Sequence, residues 1–224
     1  MSCMTCDDES AIKEEKKQLR EKIKKSFNLE CNIEIVHTAR TLQSDASYCK
    51  TFLEGLYFYK DAKTVFGYVS TDVEFPTSQL LKQVLKDGKI LALPRVDGKD
   101  LQFCQVKLEG ENLSPLQKGA FGIIEPKDSA PILFDQRSKS TSEKAEDLLP
   151  LLVLVPGRAF TLDGARLGYG GGFYDRFFSA LFASVARSSV FLAGLCFSFQ
   201  VLPHLPTDVH DVLVDKVLTL NESL

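Results

Sequence analysis

The stretch from Leu148 to Phe178, LLPLLVLVPGRAFTLDGARLGYGGGFYDRFF, constrains this chain more than any other. It opens with a short apolar run, Leu148 to Val155, bounded by Pro156-Gly157. A run of that length built from Leu and Val has the character of a strand buried on both faces. A loop carrying Phe160, Asp163, Gly164 and Arg166 comes next, then the cluster Gly168, Gly170, Gly171 and Gly172. Phe173-Tyr174-Asp175-Arg176-Phe177-Phe178 leads into a helix expected to reach about Arg187. Strand, glycine loop and helix start together form an anion-binding arrangement. Glycines let backbone approach a ligand, and the first helical N–H groups lack intrahelical partners. A phosphate there gains ~0.3–1 kcal/mol from the helix dipole, and up to ~2 when partly buried. Arg166 adds a donor fork matched to phosphate oxygens. The spacing is neither that of a P-loop nor that of a dinucleotide fold. A flexible surface turn would use such glycines too.

The rest of the chain bounds what this stretch can belong to. With 224 residues, 44% hydrophobic, 25% charged and a net charge of -3, it reads as one soluble domain with a full core. That balance argues against bulk nucleic-acid binding. The longest apolar runs fall well short of the ~20 residues of a membrane span. The N-terminal segment is charged from Asp7 onward and lacks an apolar signal core, so the expectation is a cytoplasmic protein; a monomer is expected separately. Cys3 and Cys6 form a C-x-x-C without a second pair, read as part of a disordered tail over residues 1–10. The other four cysteines sit among apolar residues, as small buried hydrophobes in a reducing compartment do.

Periodicity predicts a helix from Ala11 to Phe27, with Ile12, Leu19, Ile23 and Phe27 on one side. Seven basic and three acidic residues between Lys13 and Lys25 leave it locally positive; a solvated face with i,i+4 pairs accounts for most of them. Further helices are predicted over about Ala46–Phe58 and from Pro76-Thr77 to Lys86, and strands over Thr64–Ser70, Lys89–Leu93, Leu101–Val106, Val190–Phe197 and near Lys216–Leu220. Strand, helix and strand between Thr64 and Leu93 have the spacing of a βαβ unit. The fold class is therefore α/β, a single-domain, mostly parallel sheet flanked by helices on both faces. Residues 127–147 are polar and read as a mobile insertion. In such sheets ligands sit at the carboxyl ends of strands, which makes Glu74 either a ligand contact or an exposed loop acid.

Pro156-Gly157, Ala159-Phe160, Gly164 and the run Arg166-Leu-Gly-Tyr-Gly-Gly-Gly-Phe-Tyr-Asp175-Arg resemble the central motif of the 5-formyltetrahydrofolate cyclo-ligases, also called 5,10-methenyltetrahydrofolate synthetases. Lys16-Lys-Gln-Leu-Arg20 resembles the opening K-x-x-L-R of that family, Gly122 to Pro126 its G-x-x-E-P, and His210-Asp211 with Asp215 its H-D-x-x-V-D ending. The resemblance spans Lys16 to Thr219. It implies a fold similar to sugar-phosphate isomerases and CoA transferases, and ATP- and Mg²⁺-dependent closure of 5-formyltetrahydrofolate to 5,10-methenyltetrahydrofolate with release of ADP and phosphate. It further implies ATP contacts at Lys16, Arg20, Arg166, Leu167, Gly168, Tyr169, Gly170, Gly171, Gly172, Phe173 and Tyr174, with Lys16 and Arg166 catalytic. Folate contacts fall at Val69, Glu74, Tyr169, Gly170, Gly171, Gly172 and Phe173, the substrate carrying a polyglutamate tail. Asp175 and Asp211 hold the metal in that picture. Each alone also reads as a surface acid or helix cap, and Phe173 and Tyr174 also read as core. Glu125 reads as structural. The chain departs from the pattern at Thr161, where an acid is common, and in the length of 127–147.

Two other readings stay open. One is a non-catalytic folate- or nucleotide-binding relative with a regulatory role, which should have lost phosphate or metal residues. The other is a sugar-phosphate or acyl-CoA enzyme on a similar sheet, which needs a carboxylate nucleophile or base and no ATP.

Overall fold

The computed structural model describes residues 6–42, 44–119, 122–137 and 145–219. Three helices come first, α1 (Cys6–Ser26), α2 (Glu30–Leu42) and α3 (Ala46–Glu54). After them come β1 (Thr64–Phe66), α4 (Ser78–Lys86), β2 (Ile90–Asp97) and β3 (Asp100–Glu109). Short strands β4 (Asn112–Ser114), β5 (Leu116–Lys118), β6 (Ile124–Pro126) and β7 (Ile132–Asp135) come next. The last third holds β8 (Leu151–Val155), β9 (Ala159–Phe160), β10 (Arg166–Leu167), α5 (Phe173–Ser184), β11 (Val190–Leu195) and β12 (Lys216–Leu218).

Eight strands form the main sheet in the order β12-β11-β8-β1-β2-β3-β4, with β7 also on β3. Pairing is parallel from β12 across to β2 and antiparallel from β2 onward. The change of direction arises at Asp97-Gly98-Lys99-Asp100, where Gly98 takes φ 65 and turns β2 straight back into β3. Alternation within the central strands then divides the core. Leu152 and Leu154 of β8, with Phe191, Ala193 and Leu195 of β11, face one side and meet Phe52, Leu53, Leu80 and Leu81 from α3 and α4. Leu151, Val153 and Val155 face the other and meet Phe177, Phe178 and Leu181 of α5. Side chains two apart share a face of a strand, so an unbroken apolar run supplies both layers. Each such residue, fully buried, stabilises the fold by ~1.5–3 kcal/mol.

Gly194 shows how tight the second layer is. A methyl group there would lie 2.5 Å from Cε1 of the buried Phe160 ring. Gly194→Ala is expected to lower unfolding free energy by ~1–3 kcal/mol, from overpacking, read as a lower urea midpoint at unchanged slope.

Several boundaries differ from those read in the sequence. Helix α1 begins at Cys6, inside the expected disordered tail, since neither Gly nor Pro interrupts the segment through Ser26; residues 1–5, Cys3 among them, lie outside the described residues. Helix α2 was not anticipated, although Ile35, Val36 and Ala39 fall at helical spacing and pack on the first core layer. Helix α3 stops at Glu54, capped by Gly55. Strand β1 ends at Phe66 because buried Thr77 captures Tyr68 and Ser70: its hydroxyl donates to Tyr68 O at 2.6 Å and accepts from Ser70 N at 3.1 Å. Strand β2 runs on through Pro94, which β1 no longer flanks beyond Ala92. Helix α5 stops at Ser184, before Arg187. Part of the expected mobile insertion is sheet instead: β7 pairs with β3, anchored by fully buried Phe134 against Phe177. Residues 138–144 of that segment, and Leu220 of the last strand, lie outside the described residues.

Candidate active site

A cleft of about 860 Å³ opens where the segments leaving β1, β2 and β8 meet α1 and the turn at Asp208–Asp211. This is the carboxyl end of the parallel strands, where backbone leaves the sheet and loops can shape a pocket. Helix α1 reaches it through sequence spacing. Leu19 and Ile23 dock on Ala159, Ala165 and Leu167 of the β9–β10 hairpin, so Lys16 and Arg20, on the same stripe, turn toward the cleft.

One end of the cleft is cationic. Arg20 Nε donates to Gly168 O at 2.8 Å, which ties α1 to the glycine loop. Arg166, presented by β10, is buried and gives Nη2 to Asp175 Oδ1 at 2.6 Å. Its guanidinium lies 5.6 Å from the Tyr174 ring, and its Nε has no hydrogen-bond partner among the described residues. The hairpin that carries Arg166 is closed by Thr161, whose hydroxyl accepts from Ala165 N at 3.0 Å, so the departure from an acid there leaves a satisfied turn. Gly170 and Gly172 take φ 99 and 65, a left-handed region that favours glycine. Gly172 is the N-cap of α5 and supplies no side chain to its first N–H groups, which leaves them for an anion. If the glycine loop cradles the phosphates of a nucleotide, Gly170→Ala is expected to weaken that binding about tenfold, since left-handed backbone costs an L-residue ~1–2 kcal/mol. Calorimetric titration checks this.

Lys16 donates from Nζ to Asp208 Oδ2 at 2.8 Å and Asp211 Oδ2 at 2.6 Å. Burial pulls its pKa down, but the two carboxylates outweigh burial and the net direction is up. Asp208 moves the opposite way: burial raises its pKa, and the Lys16 and His210 N–H bonds bring it below the usual value. Asp175 Oδ2 and Asp211 Oδ1 take no part in these bonds. A small hard cation needs one or two carboxylate oxygens, with water and phosphate completing its shell, and these two fit that donor set. Among the described residues no three His, Cys, Asp or Glu side chains gather as a metal site, so a closed protein cage is not formed. Arg20 feels both Asp175 and Asp211, although burial lowers its pKa overall.

The other end is aromatic and acidic. Glu74 Oε2 accepts from Thr71 N and Thr71 Oγ1, both at 2.8 Å, and so is oriented by its own loop. Val69, Tyr68, Tyr169, Phe173 and Tyr174 share the wall with it. Burial first, then the charge of Glu74, pushes the Tyr68 and Tyr174 hydroxyls well above the usual range, so both remain donors. Neither hydroxyl has a hydrogen-bond partner among the described residues.

Residues 12–220 match the sequence model of the 5-formyltetrahydrofolate cyclo-ligase family. This chain belongs to that family. A mouse 5-formyltetrahydrofolate cyclo-ligase is 31% identical over 163 residues, covering 71% of this chain and 74% of its own. A Caenorhabditis elegans protein named as a probable 5-formyltetrahydrofolate cyclo-ligase is 30% identical, covering 96% and 97%. The solved structure of 5,10-methenyltetrahydrofolate synthetase from Aquifex aeolicus is 31% identical, with a TM-score of 0.63, and covers 91% of this chain and 89% of its own.

Every site residue singled out in the sequence lines this one cleft: Lys16, Arg20, Val69, Glu74, Arg166 through Asp175, and Asp211. Sequence reading passed over Tyr68, Thr71 and Asp208. The last was within reach, because Asp208 and Asp211 are three apart and close a turn, Asp211 N donating to Asp208 O at 3.2 Å. Glu125, read as structural, also lines the cleft and accepts from Val96 N at 3.2 Å. Among the described residues no helix is long and apolar enough to cross a membrane.

Proposed function

We propose that this chain closes 5-formyltetrahydrofolate to 5,10-methenyltetrahydrofolate, consuming ATP with Mg²⁺ and releasing ADP and phosphate. The observation that carries the reading is the polarity of the cleft: three cations and a glycine-rich helix start at one end, an oriented glutamate among aromatic rings at the other. A triphosphate suits the first and a pterin the second. The names of the mouse and worm relatives support the same substrate.

The chemistry asks the protein for positioning and charge, not for a nucleophile. The formyl oxygen attacks the γ-phosphorus, the bond to the β-phosphate oxygen breaks, and ADP leaves. N10 then adds to the activated carbon and loses its proton, and phosphate departs with the former formyl oxygen. Arg166 and Lys16 stabilise charge on the transferring phosphoryl group, while Arg20 and the first N–H groups of α5 hold the remaining phosphate oxygens. Glu74 accepts from the pterin edge and fixes its orientation, and Phe173 offers a stacking face. Asp175 and Asp211 would hold Mg²⁺, which when bound neutralises phosphate charge. The buried free thiol of Cys104 supports a reducing compartment, in our reading the cytoplasm.

The test mixes purified protein, Mg-ATP and 5-formyltetrahydrofolate and tracks methenyl absorbance. Absorbance should rise only with all three present, with one ADP per methenyl formed, and should stop on chelation. A flat trace with folded protein, or turnover without ATP, overturns the reading.

A further inference from the structure

Lys16 is held by more carboxylate than one ammonium needs. Its side chain is 9% exposed and it donates to two acids, Asp208 and Asp211. The two acids differ in how they are held. Asp211 Oδ2 accepts from Lys16 and also from Asp208 N at 2.8 Å. Asp208 is oriented through its other oxygen, Oδ1, by His210 N at 2.9 Å, which among the described residues leaves Oδ2 to Lys16. The Asp208 carboxylate is thus aimed by a backbone N–H of its own turn, not by the Asp211 carboxylate.

We propose that Asp208 is a positioning residue, the anchor that keeps Lys16 aimed at the phosphates when Asp211 turns to a divalent cation. This rests on the proposed roles of Lys16 and Asp211. A single carboxylate that holds both a metal ion and an ammonium brings two positive charges within a few ångströms, and their repulsion drives the softer-held lysine away. With Asp208 in place the ammonium keeps one partly buried carboxylate and has protons left for a phosphate oxygen. Without it, Lys16 stays on Asp211 and competes with the metal, or swings free and loses the phosphate.

The test is calorimetric titration with a non-hydrolysable ATP analogue in excess Mg²⁺, and separately with 5-formyltetrahydrofolate. Asp208→Asn should weaken analogue binding roughly ten- to a hundredfold while folate binding stays within about twofold, as expected when a charged partner is lost at one end of the cleft. Asp208→Glu should recover much of the loss. In a Lys16→Gln background, Asp208→Asn should add nothing, because a residue acting through another has no effect once that other is gone. Wild-type analogue affinity in Asp208→Asn overturns the proposal. So does an equal loss of both ligands, or an undiminished loss in the Lys16→Gln background. If the amide disturbs the turn, seen as a lowered melting temperature, Asp208→Ser carries the same comparison. Failure of the metal reading shows elsewhere: Asp211→Asn would then leave the Mg²⁺ dependence of analogue binding unchanged.

Discussion

Asp175→Asn is expected to cut turnover by roughly two to three orders of magnitude, the range seen when one charge-stabilising group is removed from a preorganised site. Asp175 occupies the first turn of α5, receives Arg166 Nη2 at 2.6 Å and keeps its second oxygen clear of that bond. The amide preserves shape but removes charge at the proposed metal site and beside a buried guanidinium. Those two losses separate on titration with Mg²⁺. If Asp175 ligates the metal, half-saturation moves to higher Mg²⁺ as turnover falls. If it only steadies Arg166, turnover falls at unchanged half-saturation, and the metal assignment is wrong. Loss of an acid from the helix start costs ~0.3–1 kcal/mol of stability from the dipole, and loss of the charged partner of buried Arg166 adds to that, so a thermal melt must show that the variant is folded at the assay temperature.

Glu74→Gln should raise the KM for 5-formyltetrahydrofolate roughly ten- to a hundredfold while leaving that for ATP within about twofold, the worth of a hydrogen bond to a charged group. The physical ground is orientation. Thr71 holds one carboxylate oxygen through two bonds at 2.8 Å and the Tyr169 hydroxyl also bonds the carboxylate, which fixes the direction in which it meets donors from a ligand edge. An amide exposes an N–H where an acceptor is needed and turns an attraction into an unpaired contact. The loop is otherwise unaffected, since Gln also offers an oxygen to Thr71. Steady-state kinetics with each substrate varied in turn decides the matter. A larger change in the ATP constant would place Glu74 at the wrong end of the cleft.

The layered α/β sheet was legible because its signals are local. Leu151–Val155 and Val190–Leu195 are apolar at every position, as strands covered on both faces must be. Asp97-Gly98 also carries turn chemistry, but that it folds β2 back onto β3 was seen only in the structure. Less was legible where tertiary contacts override local preference. Strand β7 lies in a polar stretch and is held by one phenylalanine driven into the α5 core, and β1 ends early because a threonine seven residues beyond Ser70 captures the chain. Helix α2 had a readable stripe, but its Asn, His, Thr and Arg residues diluted it.

Residues around the glycine loop were readable as a candidate anion site by type, and their separate roles came from the resemblance to the cyclo-ligase motif, since a surface turn uses the same glycines. Which acid meets which cation was not readable. The ammonium of Lys16 meets Asp208 across 192 residues of chain, and no spacing rule acts over that distance. The sequence by itself determined the periodicities, the turn chemistry and the stock of charged groups, all set by neighbours within a few residues. Only the tertiary structure decided that α1 lies across the β9–β10 hairpin and that its lysine bridges two aspartates, because those contacts depend on how separately formed elements dock.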